Sequence, residues 1–143
     1  DMIPAVSAGG VTVRIISGEY ERTKGPVTGD YVKTLMLDVD LPAIQSWQLS
    51  TNPEDTLFIY IIEGDLRFED AASALLPARR AVLFSGGDEL FAEAGSQGAR
   101  FLLFAGKPLG EPVAWGGPIV MNTRAELDTA FSELNNGTFI KKH

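Results

Sequence analysis

Acidic pairs are the most numerous groups in this chain that could bind a metal or move a proton. Glu54-Asp55, Glu69-Asp70 and Asp88-Glu89 each place two carboxylates side by side. Carboxylate oxygens serve as hard-cation ligands or as general acids and bases. All three pairs fall at expected turns or strand ends, where acidic side chains are ordinarily solvated. Softer ligands are nearly missing. The chain has no cysteine and one histidine, His143, its last residue. Tight zinc, copper and iron–sulfur sites are built from those two residue types. Disulfides are excluded, and a nucleophile–histidine unit would need the chain end.

Glycine clusters are the next candidates. Ser85-Gly86-Gly87-Asp88 lacks the lysine and following helix of a phosphate loop. Ala8-Gly9-Gly10 precedes a strand pattern rather than a helix, so the dinucleotide fingerprint fails as well. Both read as turns that need positive φ. Aromatic residues could line a pocket. Trp47, Phe58, Tyr60 and Phe68, with Phe101 and Phe104, fall in the central strand-like runs, and most of them are expected in the core. Trp115 lies in an irregular Pro–Gly segment, where an aromatic more often covers an edge or an interface.

The elements that must position these residues are mostly strands. Val11 to Ile16 is a β-branched run, and Leu35, Leu37, Val39 and Leu41 recur at period two. Trp47 and Leu49 alternate with polar residues, and Leu57 to Ile62 is continuously apolar. Glu63-Gly64-Asp65 then predicts a hairpin turn before Leu66–Glu69. Ala81 to Phe84, Leu90 to Ala94 and Phe101 to Ala105 complete the strand set, with Gly95-Ser96-Gln97-Gly98 predicted as another turn. Many short strands divided by Gly and Pro argue for a sandwich or barrel. Near the carboxy end, Thr123-Arg124-Ala125-Glu126 has capping-box spacing. Leu127, Ala130, Phe131 and Leu134 follow at helical spacing, and Asn136-Gly137 stops the pattern.

Charge narrows the partners. Twelve basic against nineteen acidic residues give a net charge of −7. That field opposes nucleic-acid binding, which relies on positive groups releasing counterions. No run of about 18 apolar residues is present to span a membrane. Lack of cysteine fits a cytoplasmic protein. At 143 residues the chain suits one domain.

Three segments together resemble a known family. They are Gly10 to Gly18 (GVTVRIISG), Phe101 to Val113 (FLLFAGKPLGEPV) and Gly117 to Thr123 (GPIVMNT). In this order and spacing they resemble the carboxy-terminal cupin domain of pirin-family proteins, from about Ile3 to Phe139. The resemblance implies an all-β cupin, an antiparallel β-barrel or jelly roll, with one short C-terminal helix. It divides the chain into an amino-terminal linker segment at 1–9, a barrel at 10–121, a helix at 122–137 and a tail at 138–143.

Pirin-family proteins are bicupins whose first barrel carries the metal, usually iron, and whose second typically carries none. The resemblance therefore implies that iron belongs to an amino-terminal cupin missing from this chain. The Asp1-Met2 start fits a chain that begins in or near the linker. Some family members are quercetin dioxygenases and others are regulators that bind proteins. The cupin metal positions map residue by residue. With the glycine of the first motif on Gly64, its glutamate position falls on Leu57, and its histidines fall among Ser50, Thr51, Asn52 and Pro53. With the glycine of the second motif on Gly95, its histidine falls on Gly98 and its proline on Glu93. None of these is a usual metal ligand except Glu93, at a non-ligand position.

The expectation is a metal-free chain with no catalytic residue and no cofactor, serving as a structural or interaction domain. Its partner is an amino-terminal cupin or a second copy of itself, with further protein partners and neither nucleic acid nor membrane. Trp115, Ile119, Phe139 and Ile140 are the expected interface. The alternative is a free-standing cupin that binds a small molecule or uses a weakly held metal.

Overall fold

The computed structural model describes residues 2–68 and 73–141. Glu69-Asp70, Lys142 and His143 lie outside the described residues, as does Asp1. The chain divides into two compact units, Asp1–Pro108 and Leu109–His143.

The first unit is antiparallel β. Its strands are β1 (Ala5–Ala8), β2 (Val11–Ser17), β3 (Glu19–Tyr20), β4 (Thr23–Lys24), β5 (Thr34–Leu41), β6 (Ser46–Ser50), β7 (Thr56–Arg67), β8 (Leu76–Pro77), β9 (Arg80–Phe84) and β10 (Glu89–Gly106). Eight of them form one sheet in the order β1-β2-β5-β10-β7-β8, with β6 on β10 and β9 on β7. Among the described residues this hydrogen-bonded path does not close on itself. β3 and β4 make a separate small hairpin.

Alternation decides which side chains form the core. Val13 and Ile15 of β2, Leu37 and Val39 of β5, Ile59 and Ile61 of β7, and Phe101 and Leu103 of β10 point inward and are buried. Trp47 closes one end against Phe101, with ring centroids 5.8 Å apart. Its indole N–H donates to the Tyr20 hydroxyl at 3.0 Å. Burial raises the Tyr20 pKa, which keeps that hydroxyl neutral.

Two predicted turns are not turns. β7 runs unbroken through Gly64, and β10 runs unbroken through Gly95 to Gly98. The β7–β10 register instead shifts between Ala94 and Ala99, opposite Gly64 and Leu66. The glycines serve a bulge, where one strand carries extra residues and bends. A third stretch bends beside them. β5 and β6 both pair with β10, and Pro42 to Gln45 between them crosses the same bend. There the Ile44 amide donates to the Gly95 carbonyl at 3.1 Å, and the Ala94 amide to the Gln45 carbonyl at 2.9 Å.

The sheet also begins earlier than the expected boundary at residue 10. Ala5 to Ala8 pair with Arg14 to Val11, so much of the expected linker is an edge strand. The far boundary moves too. β11 (Ala114–Gly116) and β12 (Ile119–Met121) pair with each other and share the second unit with α1 (Arg124–Asn135). A three-residue hairpin cannot bury itself. Ile119 therefore packs with Leu127 and Ala130 of the helix, and Ala114, Met121 and Phe131 join them.

The helix starts where its sequence says. The Thr123 hydroxyl accepts from the Glu126 amide at 3.2 Å, and the Glu126 carboxylate accepts from the Thr123 amide at 2.8 Å. The Thr123 hydroxyl also donates to that carboxylate at 2.9 Å, and this bond, with the one from the Thr123 amide, holds the Glu126 carboxyl below its usual pKa. Thr123→Ala is expected to cost about 1 kcal/mol, read as a lower midpoint in thermal unfolding followed by circular dichroism. An unchanged midpoint would mean that the cap adds nothing to stability.

Candidate functional site

The mapped metal positions do not come together. Leu57 sits near the start of β7, 6% exposed, paired with Ala105 of β10 and Phe84 of β9. Gly98 sits at the bend, its φ at +78° and its Cα side against the Leu41 carbonyl. The β7–β10 ladder sets Gly106 opposite Thr56 and Ala99 opposite Gly64. Leu57 and Gly98 are thus separated by about seven residues of strand, roughly 23 Å. Ligands of one ion must converge within about 2–2.6 Å of it.

The remaining mapped residues have local roles. The Thr51 amide donates to the Asp88 carbonyl and its hydroxyl to the Gly87 carbonyl, both at 2.8 Å. The Asn52 side-chain oxygen accepts from the Glu54 amide at 3.1 Å, a local turn device. Ser50, Thr51 and Asn52 line a cavity of about 90 Å³ with Lys33, Leu35, Leu49, Asp55 and Ala105. Glu93 pairs with Arg67. The acidic pairs that are described also lie apart from any metal set. Glu54 is 3.6 Å from Lys107, and Glu89 accepts from Gln48 at 3.4 Å.

Among the described residues, the interior of the first unit does not fit a transition metal. Leu37, Val39, Ile59, Ile61, Phe101 and Leu103 fill the interior of the first unit with hydrocarbon, each with no exposed surface. Among the described residues no three His, Cys, Asp or Glu side chains gather as a ligand set.

A larger cavity lies elsewhere. About 480 Å³ opens at the strand ends that carry Thr34–Met36, Thr56–Phe58 and Phe104–Lys107. Phe58 and Phe104 stack there, centroids 4.6 Å apart and planes 10° from parallel. These two belong to the side of the sheet opposite the core, as do Tyr60 and Leu83, which stay well exposed. Sequence reading placed Phe58 and Phe104 in core strands but missed the cleft. Its signal was the unbroken apolar run at 57–62, which makes both faces of β7 apolar.

The expected interface residues separate. Trp115 is 73% exposed and pairs across the hairpin with exposed Val120. Phe139 and Ile140 are exposed as expected. Ile119 is not, because it faces the helix at 8% exposure.

Comparison with known proteins places this geometry. Residues 36–140 match the family model of the pirin C-terminal cupin domain. The chain belongs to the pirin family. A pirin-like protein of Caulobacter vibrioides is 40% identical over 97% of this chain and 50% of its own length. Pirin-1 of Arabidopsis thaliana is 42% identical over 94% of this chain and 47% of its own. The crystal structure of a quercetin 2,3-dioxygenase from Acinetobacter baumannii superposes with a TM-score of 0.84 at 31% identity. It covers 96% of this chain and 47% of that one. The chain thus spans about half the length of the curated pirin relatives it matches, and its antiparallel sheet is a cupin sheet. Among the described residues, no helix is long and apolar enough to cross a membrane.

Proposed function

We propose that this pirin-family cupin is a metal-free structural and interaction domain, working beside a metal-bearing amino-terminal cupin. The hydrocarbon-filled interior is the observation that carries this reading. A ligand set cannot be assembled there without emptying the core. Any dioxygenase chemistry of the kind named for the Acinetobacter relative then belongs to the partner cupin. This chain contributes packing and surface. Exposed Trp115, Phe139 and Ile140 support the interaction role, since large apolar groups in water favour contact with another protein. The partner is the amino-terminal cupin, or a second copy where that cupin is absent. Lack of cysteine supports a reducing compartment such as the cytoplasm.

One preparation tests both parts. Metal analysis of the purified chain is expected to find far less than one iron, nickel or manganese per chain. Light scattering is expected to show self-association that Trp115→Ser weakens. Stoichiometric metal would overturn the metal-free reading. A monomer at all concentrations that also fails to bind an amino-terminal pirin cupin would overturn the interaction role.

A further inference from the structure

We propose that the 480 Å³ cleft on the outer side of the sheet binds a planar aromatic ligand with an anionic end, such as an aromatic carboxylate. The volume lies in the range of small-molecule sites. The lining is mostly hydrocarbon, from Ile16, Met36, Val27, Val32 and the stacked Phe58–Phe104 pair. Stacked rings present a flat surface on which a further ring can pack in an offset arrangement. Among the described residues, Lys107 is the one charged residue of the lining. Its side chain is mostly exposed, and its 3.6 Å pair with equally exposed Glu54 is weak. The ammonium is therefore available to an anion at the mouth of the cleft.

The wall of the cleft is built, not a chance fold of a loop. Ser17 is 5% exposed, and its hydroxyl sits 3.2 Å from the Val27 carbonyl and 3.1 Å from that of Thr34. The Gly18 amide donates to the Val27 carbonyl at 3.1 Å, and the Gly25 amide to the Gly18 carbonyl at 2.9 Å. Gly25 lies so close to β2 that a Cβ would come within 2.9 Å of the Ile15 carbonyl oxygen. These contacts fix the returning chain beside β2 and hold Val27 over the cleft, so a ligand meets a formed site. The site is independent of the metal question, because its aromatic wall lies on the side of the sheet away from the core.

The test uses 2-naphthoate and its neutral counterpart 2-naphthalenemethanol, titrated into the ¹⁵N-labelled chain. Saturable amide shifts are expected around Ile16, Thr34–Met36, Thr56–Phe58 and Gly106. Naphthoate is expected to bind about two- to fivefold more weakly to Lys107→Ala and somewhat more tightly to Glu54→Ala, with the alcohol unchanged in both. Phe104→Ala should weaken both ligands by about two- to tenfold, the contribution of one aromatic contact. The spectrum of each variant reports its fold directly. No saturable shift, or shifts centred elsewhere, would overturn the site. Equal effects of Lys107→Ala on acid and alcohol would overturn the anionic end.

Discussion

Gly64→Ala is expected to destabilise the first unit by about 3–5 kcal/mol, a large share of a small domain's stability. Two costs combine. Gly64 has φ at +71°, where a residue with a Cβ loses about 1–2 kcal/mol. The added methyl would also drive into the Gly98 carbonyl oxygen and come within 2.9 Å of the Ala99 Cα. Both obstacles are backbone, so relief requires the bend itself to open. Gly110→Ala isolates the first cost. Its φ is +66°, but no heavy atom lies within 4 Å of the new methyl. Urea unfolding is expected to show a loss of only about 1 kcal/mol for Gly110→Ala and several times that for Gly64→Ala. Equal losses would mean that the bend is soft and that Gly64 matters only for its own torsion.

The same glycines explain what could be read in the sequence and what could not. Glycine announces a torsion that other residues avoid. A turn and a bulge both need that torsion. Which one forms depends on pairing between β7 and β10, whose bends at Gly64 and Gly98 are 34 residues apart in the chain. Local pattern alone chose turns. The helix was legible because its signals are local, with Thr123 and Glu126 three residues apart in a reciprocal cap. Strand identity was legible from alternation at Leu35–Leu41, and it correctly buried Leu37, Val39 and Leu41. The cupin metal positions were mapped from residue types alone, and anchoring each motif on its own glycine said nothing of the distance between Leu57 and Gly98. The cleft was hidden for a related reason. Its wall depends on Ser17 holding Val27 and Thr34, contacts that no periodicity encodes.

The outer side of the sheet has a charged part as well as an apolar one, and it sets the largest expected effect of pH. Asp38 of β5 is 7% exposed although it faces away from the core. Arg14 pairs with it across β2, and Arg100 reaches it from β10. The Arg100 Nε donates to one carboxylate oxygen at 2.9 Å and Nη2 to the other at 2.7 Å, a two-pronged bond. The Arg14 Nη1 stands 3.7 Å away. The hydrogen bonds from Arg100 hold the Asp38 carboxyl below its ordinary pKa of 3.8. Burial opposes them, and the positive charges of Arg100 and Arg14 add to the lowering. Arg100 is shifted further upward in turn.

A carboxyl with a lowered folded-state pKa binds protons more readily in the unfolded chain. Its contribution is therefore complete above the ordinary carboxylate range and is lost as pH falls through the lower folded value. Asp38→Ala removes the carboxylate that Arg14 and Arg100 share and leaves Arg100 only the charges of Glu63 and Asp40, at an expected cost of about 2–3 kcal/mol near pH 7. In acid the wild-type protein loses the same interaction by protonation. The gap between wild-type and variant urea midpoints should be wide at neutral pH and should narrow once pH drops below about 4. A gap that keeps its full width in strong acid would show that Asp38 acts through packing rather than charge. Replacing all three residues with apolar side chains of similar size should recover much of the loss, because the desolvation cost of the charges disappears with them.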